Sequence, residues 1–169
     1  MSGQKLIELQ RAIVMSMESQ KELQDLAEEE KANLVKTLEI FWEIWTFQNT
    51  QDDFKAFKKM SDIFSKKDRV ETCAILNSAP GDSTPDFNCL EAILKELKND
   101  PERLQELEQR ETKEIILVMT DGRSDSPQRV QNIIEELRRL GVIVVAIGIT
   151  EGGRSVETTY ANDGNQDFT

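Results

Sequence analysis

Histidine is absent from this chain of 169 residues, which excludes a catalytic histidine, a zinc site with histidine ligands and a histidine pH switch. Basic residues are scarce relative to acidic ones: 21 Lys and Arg stand against 32 Asp and Glu, a formal net charge of −11. Such a surplus of negative charge repels phosphates and anionic lipid headgroups. We therefore expect neither a nucleic-acid partner nor a membrane surface.

Cysteines and long apolar runs are also few. The two cysteines, Cys73 and Cys89, are too few for a disulfide framework and lack the spacing of a metal or redox motif. The sequence has no run of about 18 apolar residues, as a membrane-spanning helix needs, and the start MSGQKLIELQ does not resemble a signal peptide. These features favour reduced thiols in a cytoplasmic protein. The length predicts a single domain over 1–169.

The first half of the chain carries both helical and strand patterns. A helix over 4–23 is predicted because apolar residues recur at spacings of three and four: Leu6, Leu9, Ile13 and Met17. Residues 38–47, LEIFWEIWTF, are rich in aromatic and β-branched side chains and predict a strand. A short edge strand with lysines is predicted in FKAFKKM. We expect at least one of Trp42 and Trp45 in the core.

The middle of the chain predicts a loop and two helices. Residues 77–86, NSAPGDSTPD, have the composition of a loop, and the apolar spacing in LEAILKELK predicts a helix directly after it, with Cys89 in the core. Residues 98–113 are charged and polar, so we expect them to be solvated. Within them, Pro101 fits the first turn of a short helix that Asp100 caps.

The last third predicts a βαβ unit over 114–150. The apolar run IILVM and the apolar run VIVVAIGI flank a helix whose apolar residues lie on one face, and Gly141 ends that helix. Unbroken apolar strands separated by a helix are typical of a parallel sheet covered on both faces. Ser124 and Asp125 precede this helix and are expected to cap it.

Asp121 follows the first of these strands directly. In open parallel sheets, binding sites lie at the carboxyl ends of the strands, so Asp121 is a candidate site residue. Asp121-Gly122 is also a common turn pair. From the residues alone, both interpretations of Asp121 stay open.

The segment IILVMTDGRSDSPQRVQNIIEELRRLGVIVVAIGIT resembles the von Willebrand factor A domain family. The upstream segment GDSTPDFNCLEAI resembles the threonine loop of that family, and the N-terminal helix followed by IWTF resembles its first helix and second strand. The resemblance runs over most of 3–162. It implies an α/β, Rossmann-like fold with a mostly parallel sheet and helices on both faces.

The same resemblance implies a divalent-cation site. The family builds a metal-ion-dependent adhesion site from three loops, and by resemblance Thr84 matches the threonine of one loop and Asp121 the aspartate of another. Mg²⁺ or Mn²⁺ would suit such hard oxygen ligands. The family site leaves one coordination position for a carboxylate from a partner.

One family motif is missing from the sequence. Asp-x-Ser-x-Ser, which in the family comes just before a segment resembling MSGQKLIELQ, is absent. We therefore expect an incomplete domain without its first central strand and last helix, and weak or absent metal binding by Thr84 and Asp121. Thr84 as a helix cap and Asp121 as a turn residue, with no metal, is the alternative.

Interaction is expected rather than catalysis. The sequence has no Gly-x-Ser-x-Gly, P-loop or Gly-x-Gly-x-x-Gly, and no histidine that could activate a cysteine. The resemblance implies a protein–protein interaction domain whose partner is a MoxR-type AAA+ ATPase or a protein carboxylate at the metal site. The alternatives are a metal-free structural or regulatory interaction protein and a domain remnant without function.

Overall fold

The computed structural model describes residues 3–33, 39–47, 54–58, 84–120 and 124–149, with the single residues Lys67, Val70, Ala74 and Tyr160. The chain divides into two compact units. The first comprises Met1–Thr46 with Lys55–Pro80, and the second comprises Phe47–Phe54 with Gly81–Thr169. The single domain over 1–169 stays a prediction.

The first unit begins with a long helix, α1, at Gly3–Glu29, followed by a 3₁₀ turn at Glu30–Ala32. The helix predicted over 4–23 is confirmed and continues to Glu29. Leu9, Met17 and Ala27 are buried, whereas Leu23 and Leu26 are about half exposed. Within the part of the chain that the structure describes, neither α1 nor any other helix is long and apolar enough to cross a membrane.

The first unit also contains most of a two-stranded sheet, formed by β1 at Ile44–Phe47 and β2 at Phe54–Lys58. The strand predicted over 38–47 is confirmed only in its last four residues, and 39–43 have no regular structure. Trp42 packs on Met17 instead, and its indole N–H donates to Gln24 Oε1 at 3.2 Å. One aromatic residue of the run that predicted a longer strand, Trp42, is thus packed against α1.

The second unit carries the remaining elements. The helices predicted after the loop and around Pro101 are confirmed, as are the two strands and the helix between them. In chain order these elements are α2 at Asp86–Lys98, α3 at Pro101–Glu108, β3 at Ile115–Thr120, α4 at Pro127–Arg139 and β4 at Ile143–Gly148.

The βαβ unit is confirmed in register and direction. β3 and β4 pair in parallel, from Ile115 opposite Ile143 to Thr120 opposite Gly148. The helix between them, α4, is followed by Gly141 with φ 93°, a left-handed conformation that glycine adopts without a Cβ penalty. Gly141 therefore ends the helix as the sequence predicted.

The core of the second unit lies between helices α2 and α4 and one face of the β3–β4 pair. Val118 and Val144 point into it, with apolar residues from both helices. On the opposite face of the strand pair, five large apolar residues are 41–62% exposed: Ile115, Leu117, Ile143, Val145 and Ile147. The α/β class with a parallel sheet is confirmed. Helices were predicted on both faces of the sheet. Among the described residues, they cover one face of the β3–β4 pair.

Helix α3 is fixed at its N-terminal end by side chains. The Asp100 carboxylate caps it by accepting from the Arg103 N–H at 3.0 Å, as predicted. The Arg103 guanidinium donates twice to Glu114, from Nε at 2.9 Å and from Nη2 at 2.5 Å, which ties α3 to the residue before β3. Leu107 is buried in the core, so 98–113 is not wholly solvated.

Candidate functional site

The candidate site lies where β3 ends. Thr120, its last residue, is buried, and its carbonyl accepts from the Ile149 N–H at 2.9 Å. The chain continues through 121–123, which lie outside the described residues, and is described again from Ser124 onward. The predicted ligand Asp121 is therefore not located, and its role stays a prediction.

Thr84, the other predicted ligand, is held against the segment that follows Asp121. Its N–H donates to Asp125 Oδ2 at 2.9 Å, and the Asp125 N–H donates to its carbonyl at 3.1 Å. Thr84 itself is partly buried. The fold therefore brings Thr84 next to Asp125, which is four residues after Asp121 in the sequence.

The capping roles expected for Thr84, Ser124 and Asp125 are wrong. Pro85 is the N-cap of α2 and Ser126 the N-cap of α4, and neither cap makes a side-chain hydrogen bond. For Ser124 and Asp125, the reason is that their side chains have other partners, and Thr84 is bonded to Asp125 through its backbone. Asp125 accepts from the Thr84 loop, while Ser124 Oγ donates to Asp86 and accepts from the Ser126 N–H at 3.2 Å.

Asp86, the first residue of α2, is the centre of a buried polar cluster. It is 1% exposed, and three donors surround its carboxylate. Ser124 Oγ donates to Oδ1 at 2.5 Å, the Phe87 N–H donates to Oδ1 at 3.0 Å, and the Tyr160 hydroxyl donates to Oδ2. We call Asp86, Ser124 and Tyr160 the Asp86 cluster.

The ionisation of the Asp86 cluster follows from its burial. Burial raises the pKa of Asp86, against the hydrogen bonds from Ser124, Tyr160 and the Phe87 N–H, which favour the carboxylate. Burial also raises the pKa of Tyr160, and the negative charge of Asp86 raises it further. Tyr160 therefore keeps its proton and serves as a donor. Because three donors enclose the Asp86 carboxylate, we interpret its role as holding the fold rather than as catalysis.

Sequence reasoning missed the Asp86 cluster because its members are far apart in the chain. Asp86 is 38 residues from Ser124 and 74 residues from Tyr160. One local signal was present. Asp86 lies four residues before Leu90 and eight before Leu94, both buried, so it occupies the apolar stripe of α2. A carboxylate at a core position of a helix needs partners.

The described residues alone do not complete a metal site. No group of three or more Cys, Asp or Glu among them could hold an ion. The Thr84 hydroxyl is a hard oxygen of the kind that Mg²⁺ takes, but the Asp86 carboxylate is enclosed by its three donors. A cation here would need Asp121 and water for its other ligands.

Comparison with known proteins supports the family seen in the sequence. The family model for the von Willebrand factor type A domain matches residues 33–167. Neither a curated protein nor a solved structure gives a significant match. The match begins after α1, so the assignment of α1 to the first helix of the family stays a prediction. Because the model matches well over half of the sequence, the chain belongs to the von Willebrand factor type A domain family.

Proposed function

We propose that this chain is a protein–protein interaction domain that binds its partner at the carboxyl end of β3. Membership of the family implies a domain of the interaction or adhesion type. The observation that carries the location is the pair of hydrogen bonds between Thr84 and Asp125, which holds two loops together at that end. The family's domains are generally not enzymes, and no catalytic step forms part of the proposal.

The proposal includes a weak divalent-cation site. The Thr84 hydroxyl and the Asp121 carboxylate would hold Mg²⁺ or Mn²⁺, with water at the other positions. The support is the position of Thr84 beside the segment that follows Asp121. A bound cation would supply positive charge for a carboxylate of the partner on a protein whose net charge is −11. By family resemblance, the proposed partner is a MoxR-type AAA+ ATPase in the cytoplasm.

A metal-free interaction domain is the second candidate function. It is favoured by the hydrogen bonds that Asp86 and Asp125 already accept from the protein itself. In this candidate, the loops at Thr84 and Asp125 form a contact surface by shape and hydrogen bonding alone. The two candidates differ in whether divalent cations stabilise the protein.

Thermal unfolding in EDTA, and then in Mg²⁺ or Mn²⁺, tests the proposal. A cation at about ten times its Kd adds about 1.4 kcal/mol of stability, a shift in Tm of roughly 3–5 °C. We expect this shift in the wild type and its loss in Asp121→Ala and in Thr84→Val, which removes the hydroxyl with little change in shape. Asp25→Ala, which removes an exposed carboxylate on α1, is the control and should keep the shift.

Two results would go against the cation site. An equal shift in all four proteins would mean that the cation acts on the acidic surface in general. A cooperative transition without any shift in the wild type would leave the metal-free interaction domain as the function. A transition without cooperativity would instead agree with a domain remnant.

A further inference from the structure

We propose that Asp86 is a positioning residue, which fixes the Thr84 loop, the Ser124–Asp125 segment and the chain at Tyr160 in a single arrangement. The part of this inference that concerns cation affinity rests on the proposed function. The part that concerns the order of the loops does not, since it follows from the hydrogen bonds and burial of the Asp86 cluster.

The first step is that the carboxylate joins three separate parts of the chain. Asp86 lies two residues after Thr84, Ser124 lies one residue before Asp125, and Tyr160 comes from a third segment. Each hydroxyl binds a different oxygen of the carboxylate, so neither competes with the other. Asp86 thus holds both loops of the candidate site from the buried side.

The second step is that Tyr160 is held by its backbone as well as its side chain. Its carbonyl accepts from Arg138 Nη2 at 3.3 Å, at the C-terminal end of α4. Tyr160 is 7% exposed and belongs to the core cluster that contains Phe87 and Leu90. The hydroxyl therefore reaches Asp86 from a fixed position, and losing it removes a donor without loosening the ring.

The third step is that the loops also have hydrogen bonds of their own, which report on their order. The Thr84 and Asp125 N–H groups each donate across the gap between the two loops. If the Asp86 cluster positions the loops, weakening it should open these two hydrogen bonds more often. Amides elsewhere in the unit should keep their protection, because local opening and global unfolding are separate events.

Amide hydrogen exchange of Tyr160→Phe tests the proposal directly. Tyr160→Phe leaves the buried Asp86 carboxylate with one donor fewer, which destabilises the closed arrangement of the loops. We expect the Thr84 and Asp125 amides to exchange at least tenfold faster than in the wild type. The reference amides are those of Val142 and Ile143, bonded to Leu137 and Glu114 at the other end of β4, and they should keep their rates.

Two further variants complete the test. Ser124→Ala removes the other hydroxyl from Asp86 and should accelerate exchange at Thr84 in the same way, so the test still stands if Tyr160→Phe does not fold. Thr112→Val is the matched control. It removes a hydroxyl that donates to a carboxylate, Glu106, at an exposed position outside the cluster, and should leave the Thr84 amide unchanged.

Unchanged exchange at Thr84 and Asp125 in folded Tyr160→Phe and Ser124→Ala would overturn the positioning role. An equal acceleration of all amides would overturn it too, since the cluster would then stabilise the unit only globally. In the same samples, Mn²⁺ should bind Tyr160→Phe about tenfold more weakly than the wild type. Absence of Mn²⁺ binding in the wild type would contradict the proposed cation site and leave the exchange result to decide the positioning role.

Discussion

Thr84 and Asp125 exchange two hydrogen bonds across the two loops at the carboxyl end of β3. The Thr84 N–H donates to the Asp125 side chain at 2.9 Å, and the Asp125 N–H donates to the Thr84 carbonyl at 3.1 Å. One of the two bonds depends on a carboxylate and the other on backbone alone. A substitution of Asp125 can therefore remove one of the two hydrogen bonds and leave the other in place.

Asp125→Ala should weaken the link without removing it. The substitution deletes the acceptor of the Thr84 N–H, and at this exposed position we expect the free energy of unfolding to fall by about 1 kcal/mol. Urea denaturation measures the change. Asp125→Asn keeps a side-chain oxygen at the same place and should lose less. An equal loss in both variants would mean that the charge, rather than the hydrogen bond, stabilises the loops.

Tyr160 is the single tyrosine of the chain, so its ionisation can be followed by absorbance without interference from another. Its pKa is raised by burial and by Asp86. In the folded protein, tyrosinate should therefore form only at a higher pH than in the chain unfolded in urea, which should ionise near pH ~10. Tyrosinate formation near pH ~10 in the folded protein would contradict the buried hydrogen bond to Asp86.

The same shift has a consequence for stability. Because the pKa of Tyr160 is raised on folding, its contribution is fully present below the pKa of the unfolded chain and declines as pH rises toward the folded value. Between pH ~10 and ~11, the free energy of unfolding should fall more steeply in the wild type than in Tyr160→Phe. Denaturation curves at both pH values provide the check, and equal slopes would contradict the assignment.

The two faces of the β3–β4 pair should respond differently to truncation. Leu137, on α4, is fully buried against the covered face, so Leu137→Ala should cost about 2–5 kcal/mol. Leu117 lies on the opposite face and is 41% exposed, so Leu117→Ala should cost less than about 1.5 kcal/mol. Chemical denaturation distinguishes the two. A cost for Leu117 as large as that for Leu137 would show that its face is covered in solution.

The βαβ unit could be predicted from the sequence because its signals are local. About 35 residues contain all of these signals: the apolar runs of β3 and β4, the apolar face of α4 and the glycine that ends α4. The structure confirms each of them. The first half was less predictable. Trp42 lies in a sequence run that is typical of a strand, but its indole packs on Met17 and donates to Gln24. That contact depends on tertiary packing, which a residue pattern does not reveal.

The candidate site shows the same division. The resemblance points to Thr84 and Asp121 as ligands, which stays a prediction, whereas capping propensity gave the wrong partners for Ser124 and Asp125. Short polar residues before a helix are good caps in isolation, yet in the fold they bind the neighbouring loop. The Asp86 cluster was missed because its hydrogen bonds connect residues 38 and 74 positions apart.

Direct titration with Mn²⁺, followed by its effect on water proton relaxation, tests the central claim most directly. The account predicts saturable binding at a single site, weakened at least tenfold in Asp121→Ala and in Thr84→Val and unchanged in Asp25→Ala. Binding of equal strength in all four proteins, or none in the folded wild type, would contradict a cation site formed by Thr84 and Asp121.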